Sequence, residues 1–155
     1  MKKSVDDYLN ETNYHDYSSY IPTPCALDFV NFIKQVSGKE GEENKTPITH
    51  LRMLDTLIKK GNQINLCHRG VAKTTLFGEY GILYMAVYGN LPGFGELNYI
   101  LYISDSMENG VKSMRKNLEV RYNNSEFLQK MLPKISFTDN SWIFTNISGH
   151  TLEVN

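Results

Sequence analysis

The spacing of apolar side chains predicts two helices in the first half of the chain. Each begins with a capping threonine followed by a proline that suits the first helical turn, at Thr23 and at Thr46. The helical stripes are Leu27, Val30 and Ile33 in the first and Leu51, Leu54 and Ile58 in the second. A polar, tyrosine-rich arm (1–22) precedes the helices, a charged linker (38–45) separates them, and Gly61 ends the second.

After the second helix, the pattern predicts an alternation of strands and helices. The short run Gln63–Leu66 predicts a strand, and residues 74–87, apolar on nearly all sides, predict a helix buried beneath a sheet. Tyr99–Ile103 is a continuous β-prone run, as in strands that are covered on both faces of a parallel sheet. Residues 107–123 predict a further helix that packs on this sheet. The order strand, helix, strand indicates a βαβ unit.

The tail of the chain changes to a strand period. Short β-like runs occur at Lys134–Thr138, Trp142–Asn146 and Thr151–Val154, and polar turn residues separate them. This pattern predicts a small β meander at the end of the chain.

The composition predicts one soluble, intracellular domain. The chain has 155 residues, of which 41% are hydrophobic, and a formal charge of −1, so its net charge does not attract nucleic acid or an anionic membrane. Its longest apolar stretch, Ile82–Tyr88, is too short to span a bilayer, and residues 1–7 lack the apolar run of a signal peptide. Cys25 and Cys67 show no metal-ligand spacing, which predicts reduced thiols.

A candidate phosphate-binding loop lies between the first predicted strand and the buried helix. Its residues are Cys67, His68, Arg69, Gly70, Val71, Ala72, Lys73, Thr74 and Thr75. In phosphate loops, backbone N–H groups surround the β-phosphate, a lysine reaches the β- and γ-phosphate oxygens, and the next hydroxyl binds Mg²⁺. Lys73 and Thr74 occupy these last two positions, while Cys67 and Ala72 replace the usual glycines with other small residues. The sequence therefore predicts a nucleotide-binding loop.

Three residues of this loop also have simpler interpretations. Lys73 could be a solvated surface lysine, but the strand before it and the apolar helix after it favour phosphate binding for Lys73 and for the adjacent Thr74. Arg69 could form a salt bridge or contact a phosphate, and its position alone does not decide between the two. His68 is expected to be a loop residue rather than a base.

The loop and the segments after it resemble a known family. The matching stretches are Asn65–Thr75, Tyr102–Ser106 followed by an amphipathic helix, and Trp142–Asn146 with a glycine-containing turn. Together they resemble the N-terminal part of the large terminase subunit of tailed bacteriophages, the ATPase motor that packages DNA into a procapsid. The most specific match is an arginine four residues before the lysine, here Arg69 and Lys73. Over roughly residues 45–155, the resemblance implies a RecA-like P-loop NTPase fold, a three-layer α/β arrangement with a mainly parallel sheet.

The resemblance also implies a set of roles for these residues. ATP and Mg²⁺ are the implied cofactors, with Lys73 and the backbone amides around it holding the triphosphate and Thr74 holding Mg²⁺. Arg69 is implied to stabilise the γ-phosphoryl group in the transition state. By analogy with the family, the segment Thr46–Arg52 is the candidate for adenine recognition. Implied partners of the full-length parent are double-stranded DNA, the portal and the small terminase subunit, in a ring within the host bacterial cytoplasm.

The family pattern extends beyond this sequence. It would divide the chain into an arm with a short helix (1–45) and the first portion of an ATPase domain (46–155), incomplete at its C-terminal side. The family's acidic strand and nuclease domain would follow Asn155. We therefore expect little ATP hydrolysis by this chain alone. The alternatives are a truncated module that binds a nucleotide or a partner without turnover, and a different P-loop NTPase such as a small-molecule kinase.

Asp105 has two interpretations that the sequence leaves open. It follows the predicted strand Tyr99–Ile103 and could be a carboxylate on the magnesium side of the site. It could instead cap the helix that begins near Met107, since aspartate suits that position. The residue order alone supports both.

The remaining candidates favour structural roles. The basic residues Lys112, Arg115, Lys116 and Arg121 could contact DNA phosphates, but interspersed glutamates favour a solvated helix face. The histidines outside the loop, His15, His50 and His150, show no metal spacing, so we assign them no chemistry. Tyr84, Tyr88 and Phe94 are expected in the core.

Overall fold

The computed structural model describes residues 19–38, 45–59 and 61–155. Its α-helices are α1 (Pro24–Ser37), α2 (Ile48–Leu57), α3 (Ile82–Tyr88), α4 (Lys112–Asn123) and α5 (Glu126–Met131). Two π-helical stretches, Thr74–Gly81 and Met107–Val111, continue directly into α3 and α4. The strands are β1 (Asn90–Leu91), β2 (Gly95–Glu96), β3 (Tyr99–Ile100), β4 (Lys134–Phe137), β5 (Trp142–Thr145) and β6 (Thr151–Val154). The predicted arm up to residue 18 and the linker residues 39–44 lie outside the described ranges.

The two predicted N-terminal helices are confirmed, and a polar anchor joins them. The predicted Thr46 cap is wrong, because Pro47 holds the N-cap position of α2 and no side chain caps this helix. The Thr23 hydroxyl caps α1 by accepting a hydrogen bond from the Ala26 N–H at 3.2 Å. Asp55 of α2 accepts hydrogen bonds from the Thr23 N–H at 3.0 Å and the Thr23 hydroxyl at 2.8 Å, and a further one from the Tyr20 hydroxyl. This carboxylate therefore fixes the start of α1 against α2.

The helix after the loop forms the centre of the core. The π-helical stretch Thr74–Gly81 and α3 are apolar on most sides, as predicted, and their buried side chains contact α1. Phe29 stacks on Tyr84 at 4.7 Å between ring centroids, with Phe32 edge-on to Tyr84 at 5.4 Å. The prediction that Tyr84 lies in the core is confirmed. The same prediction is wrong for Tyr88 and Phe94, whose side chains are 42% and 47% exposed.

The sheet overturns the predicted three-layer fold with a mainly parallel sheet. The order of the larger sheet is β3-β6-β5-β4, and β1 with β2 forms a separate antiparallel pair. β4, β5 and β6 form the predicted antiparallel meander, which is confirmed. The described sheets contain one parallel pairing, in which Tyr99 lies opposite Glu153 and Ile100 opposite Val154. The chain is thus mixed α/β, but it is not a parallel-sheet P-loop fold.

The predicted strand Gln63–Leu66 is the element that fails. These residues have no regular secondary structure and pair with no strand among the described residues, and Ile64 and Leu66 are 83% and 92% exposed. Only two apolar side chains alternate here with amides, and a short strand without a buried apolar face is not stable in isolation. β3 instead pairs with β6, and Tyr102 N–H donates to the Asn155 carbonyl at 2.7 Å. The chain end therefore occupies the position that the βαβ interpretation assigned to a core strand.

The helix predicted over residues 107–123 is confirmed, and its described packing is against the helix after the loop and α5. It spans Met107–Val111 as a π-helical stretch and Lys112–Asn123 as α4, with Met114 and Leu118 buried. Gly78 allows this close packing, because a Cβ there would lie 2.5 Å from Met114 Cε. Within the described ranges, no helix is long and apolar enough to cross a membrane.

Candidate phosphate-binding site

The backbone of the loop alternates between left-handed and right-handed conformations. Gly70 has φ +97°, and Ala72 has φ +55°, the one non-glycine residue with positive φ in the described ranges. Lys73 then adopts helical angles, φ −54° and ψ −47°. Successive residues of opposite hand turn neighbouring N–H groups toward one side of the chain, which creates a concavity that binds anions. The positive φ of Gly70 and Ala72, followed by the helical Lys73, has the alternation that such a concavity requires.

Lys73 lies at the start of the helix and its side chain points back into the loop. Its ammonium nitrogen, Nζ, donates a hydrogen bond to the Cys67 carbonyl at 3.2 Å. The helix begins at the same place, because Leu76 N–H donates to the Ala72 carbonyl at 2.9 Å. A lysine in the middle of a helix, or one directed away from the loop, would have contradicted phosphate binding. The geometry of Lys73 is neither of these.

A cavity of about 640 Å³ lies beside Lys73 and Thr74. Ser104, Asp105 and Asn65, which lies in the segment before the loop, also line it. Asp105 accepts a hydrogen bond from the Ser104 hydroxyl at 3.1 Å and is exposed. The cavity thus places a carboxylate, a hydroxyl and an ammonium group around one space.

The capping interpretation of Asp105 is wrong. The helix that begins at Met107 is capped by Ser106, whose hydroxyl accepts from the Asn109 N–H at 3.2 Å. Ser106 can take this role because its extended backbone, φ −154° and ψ 153°, precedes the first helical turn. Asp105 therefore does not cap this helix, and its described hydrogen bond is the one from Ser104.

A second cavity, of about 300 Å³, lies between α1, α2 and the other side of the loop. It brings Thr46 and His50 from the segment expected to recognise adenine next to Ala72 and Thr75. Lys34 and Lys45 also line it, and its lining contains no carboxylate among the described residues. The cavity is therefore suited to a group that presents hydrogen-bond acceptors.

A histidine of α2 anchors the loop from outside. His50 Nε2 lies 2.7 Å from the Val71 carbonyl, within hydrogen-bond distance. The other histidine at the loop, His68, contacts only the neighbouring Arg69 carbonyl at 2.7 Å and is exposed. His50 had no sequence signal beyond its place one turn after the predicted start at Thr46, so sequence reasoning missed it.

Arg69 extends from the loop into solvent. Its side chain is exposed and forms no ion pair with any described carboxylate. The salt-bridge interpretation therefore has no support from the described contacts.

The two cysteines, Cys25 and Cys67, are free thiols. Burial, followed by the nearby Asp28 and Asp55 charges, raises the pKa of the Cys25 thiol.

Three basic residues of α4 contact carboxylates. Lys112 contacts Glu108, Arg115 contacts Asp139 at 2.7 Å, and Arg121 contacts Glu79. Pairing with carboxylates favours the solvated-face interpretation over DNA contact.

Glu79 is a buried carboxylate that sequence reasoning missed. It is 5% exposed and accepts hydrogen bonds from Arg121 and, at 3.0 Å, from Asn117. Arg121 also donates to the Tyr80 hydroxyl, which lies 2.8 Å from the Ser37 hydroxyl. Both oxygens of Glu79 accept hydrogen bonds, one of them from the positively charged Arg121. The cluster therefore links α1, the π-helical stretch Thr74–Gly81 and α4 and has a structural role.

The described residues contain no group of three or more histidine, cysteine, aspartate or glutamate side chains that could hold a metal ion. The magnesium site predicted at Thr74 does not require such a group, because Mg²⁺ at nucleotide sites takes one or two protein ligands along with phosphate oxygens and water.

Comparison with known protein families, curated proteins and solved structures finds no match for this chain.

Proposed function

We propose that residues 67–75 bind the phosphates of ATP together with Mg²⁺. The observation that carries this proposal is the combination of Lys73 Nζ directed at the Cys67 carbonyl and the alternating backbone at Gly70 and Ala72. An ammonium group has three donors, and this one has one described acceptor, so oxygens of a phosphate would complete its hydrogen bonding. The backbone N–H groups of the loop supply the remaining contacts.

The two cavities extend this proposal to the rest of the ligand. Thr74 would contribute its hydroxyl to Mg²⁺, and Asp105, which lines the same cavity, would be a second oxygen ligand. The cavity beside Thr46 and Thr75 is the candidate for the base, which agrees in position with the expectation for Thr46–Arg52. Arg69, exposed beside the loop, would add a positive charge at the γ-phosphate.

We further propose that the chain is the ATP-binding segment of a viral DNA-packaging motor of the terminase type. The support is the order of residues in the loop, above all Arg69 four positions before Lys73. The proposal concerns the loop and its ligand, since the sheet differs from the expected one. Double-stranded DNA, the portal and the small terminase subunit are the partners this would imply for the parent protein, in the cytoplasm of the host bacterium.

A binding module without turnover is the second candidate. The lining of the cavity at Lys73 includes a single carboxylate, Asp105, whereas in-line attack by water requires a group that orients the water as well as a ligand for the metal. One carboxylate suits magnesium binding better than both tasks. We therefore expect ATP binding by this chain with negligible hydrolysis.

Calorimetric titration of ATP with Mg²⁺ tests the proposal. Lys73→Ala should weaken ATP binding about 10- to 100-fold, because a hydrogen bond to a charged group contributes about 1.5–3 kcal/mol. Lys116→Ala, which removes an exposed lysine of α4, is the matched control and should bind as the wild type does. Absence of ATP and pyrophosphate binding by the wild type, or equal binding by Lys73→Ala, would contradict the proposal. Robust turnover that disappears in Lys73→Ala would show instead that Asp105 supports catalysis.

A further inference from the structure

We infer that His50 is a positioning residue for phosphate binding, which holds the Val71–Ala72 peptide in the orientation that binds an anion. The inference rests on the proposed function of the loop. It starts from one contact, the 2.7 Å separation between His50 Nε2 and the Val71 carbonyl oxygen. Among the described side-chain hydrogen bonds to loop carbonyls, this one comes from a separate helix, whereas those of Lys73 and His68 stay within the loop.

The direction of the hydrogen bond follows from the chemistry of the two groups. A carbonyl oxygen only accepts, so Nε2 of His50 carries the proton and donates it. Both the neutral imidazole with its proton on Nε2 and the imidazolium ion can do this. The contact therefore does not depend on a change in the charge of His50.

The contact fixes the orientation of one peptide plane. In a trans peptide the C=O and the next N–H point in opposite directions, so a Val71 carbonyl held toward α2 turns the Ala72 N–H away from α2. The cavity that contains Lys73, Thr74 and Asp105 is distinct from the one His50 lines. Ala72 itself lines the cavity on the His50 side. On this inference its N–H, turned away from α2, is one of the donors available to a phosphate at the loop.

The backbone angle of Ala72 explains why such a contact is needed. Its φ of +55° is unfavourable for a residue with a Cβ, and rotation of the Val71–Ala72 peptide by about half a turn would return φ to the negative region. The strain of one such residue and the net contribution of one hydrogen bond are of the same order. Without His50, the peptide is expected to rotate and the loop to lose a phosphate-binding N–H.

A double-mutant cycle with Ala72→Gly tests this mechanism. Binding of Mg²⁺-ATP and of inorganic pyrophosphate is measured by calorimetry for the wild type, His50→Ala, His50→Gln, Ala72→Gly and the double variant His50→Ala/Ala72→Gly. Gln35→Ala, an exposed change on α1, is the control, and circular dichroism verifies folding of every protein. Pyrophosphate is included because it has no base.

The inference predicts that His50→Ala weakens both ligands by a similar factor of about 10, since the lost N–H contacts phosphate. His50→Gln, which retains a side-chain donor, should stay within about threefold of the wild type. In the Ala72→Gly background, His50→Ala should cost less than threefold, because glycine adopts positive φ without strain. Variants that fold less stably are compared at a temperature where all are folded.

Three results would overturn the inference. Unchanged pyrophosphate affinity in His50→Ala, with wild-type binding intact, would leave His50 a purely structural residue. Loss of ATP but not of pyrophosphate affinity would make it a contact to the base. An equal cost of His50→Ala with and without Ala72→Gly would remove the link to backbone strain. Failure of the wild type to bind either ligand would instead overturn the proposed function, and this inference with it.

Discussion

Ala72 combines a Cβ with a backbone conformation that favours glycine. Its φ of +55° precedes the helical Lys73, and its carbonyl accepts the first helical hydrogen bond from Leu76. Phosphate loops usually have glycine at this position, and alanine keeps the same conformation at the expense of strain. At this position the sequence shows only that Ala72 is a small residue, and the strain of its backbone is visible only in the structure.

The strain predicts that Ala72→Gly stabilises the fold. Relief of a left-handed Cβ gains about 1–2 kcal/mol, and the greater flexibility of unfolded glycine offsets about 0.5–1 kcal/mol of this. We therefore expect the free energy of unfolding to rise by about 0.5–1 kcal/mol, measured by urea denaturation. The reverse test is Gly149→Ala, which should lower the free energy of unfolding. The φ of Gly149 is +83°, and no atom lies within 4 Å of the added Cβ, so the change tests backbone strain alone. A loss of stability in Ala72→Gly would show that the loop backbone is unstrained.

At the scale of elements, helices could be predicted better than strands. The helix starts at Thr23 and Ser106 depend on local hydroxyl caps, and the buried stripes of α1 and α4 depend on local spacing. Strand pairing depends on distant segments, and the partner of β3 is the chain end at β6, which no local pattern indicates. The loop was found because its chemistry lies in consecutive residues, whereas His50, more than twenty residues earlier in the chain, contributes through the fold alone.

The anchor between α1 and α2 predicts a pH dependence of stability. Burial opposes ionisation of Asp55, but hydrogen bonds from Tyr20 and Thr23, aided by Lys59, outweigh it and lower its pKa below the ordinary value of 3.8. Burial, with the hydrogen bond to Asp55, raises the pKa of Tyr20 to about 12, so its hydroxyl remains a donor at neutral pH. A carboxyl whose pKa is lower in the folded state stabilises the protein above its unfolded pKa and loses this effect as the pH falls through its folded pKa.

Asp55→Asn should therefore destabilise the protein by about 1–2 kcal/mol at pH 7, since it removes a charged hydrogen-bond acceptor. The difference from the wild type should shrink as the pH falls below 3.8, the ordinary value for this carboxyl. Thermal unfolding of both proteins between pH 7 and about pH 3 measures this. Asp28→Asn, an exposed carboxylate of α1, serves as the control. A difference that stays constant with pH would show that the charge of Asp55 is not what stabilises the anchor.

At the scale of the whole molecule, the phosphate loop lies where several separate elements meet. α2 contacts it through His50, the helix that it begins passes through the core, and Asp105 after β3 lines the same cavity as Thr74. The expected mainly parallel sheet is absent from the described fold, while Lys73 still contacts its loop and Asp105 lines the same cavity. The proposal of nucleotide binding therefore depends on the loop and its neighbours, not on the sheet that the sequence predicted.

The most direct test of phosphate binding is an NMR titration that follows each backbone amide as Mg²⁺-ATP, and separately pyrophosphate, is added to ¹⁵N-labelled protein. Binding at the loop predicts that the largest chemical-shift changes for both ligands occur at residues 70–74, because the positive φ of Gly70 and Ala72 turns neighbouring N–H groups toward one side of the loop. ATP should also shift residues 46–50, which line the second cavity, and pyrophosphate should shift them less. Saturable shifts centred elsewhere, or none in the loop at millimolar ligand, would contradict the account.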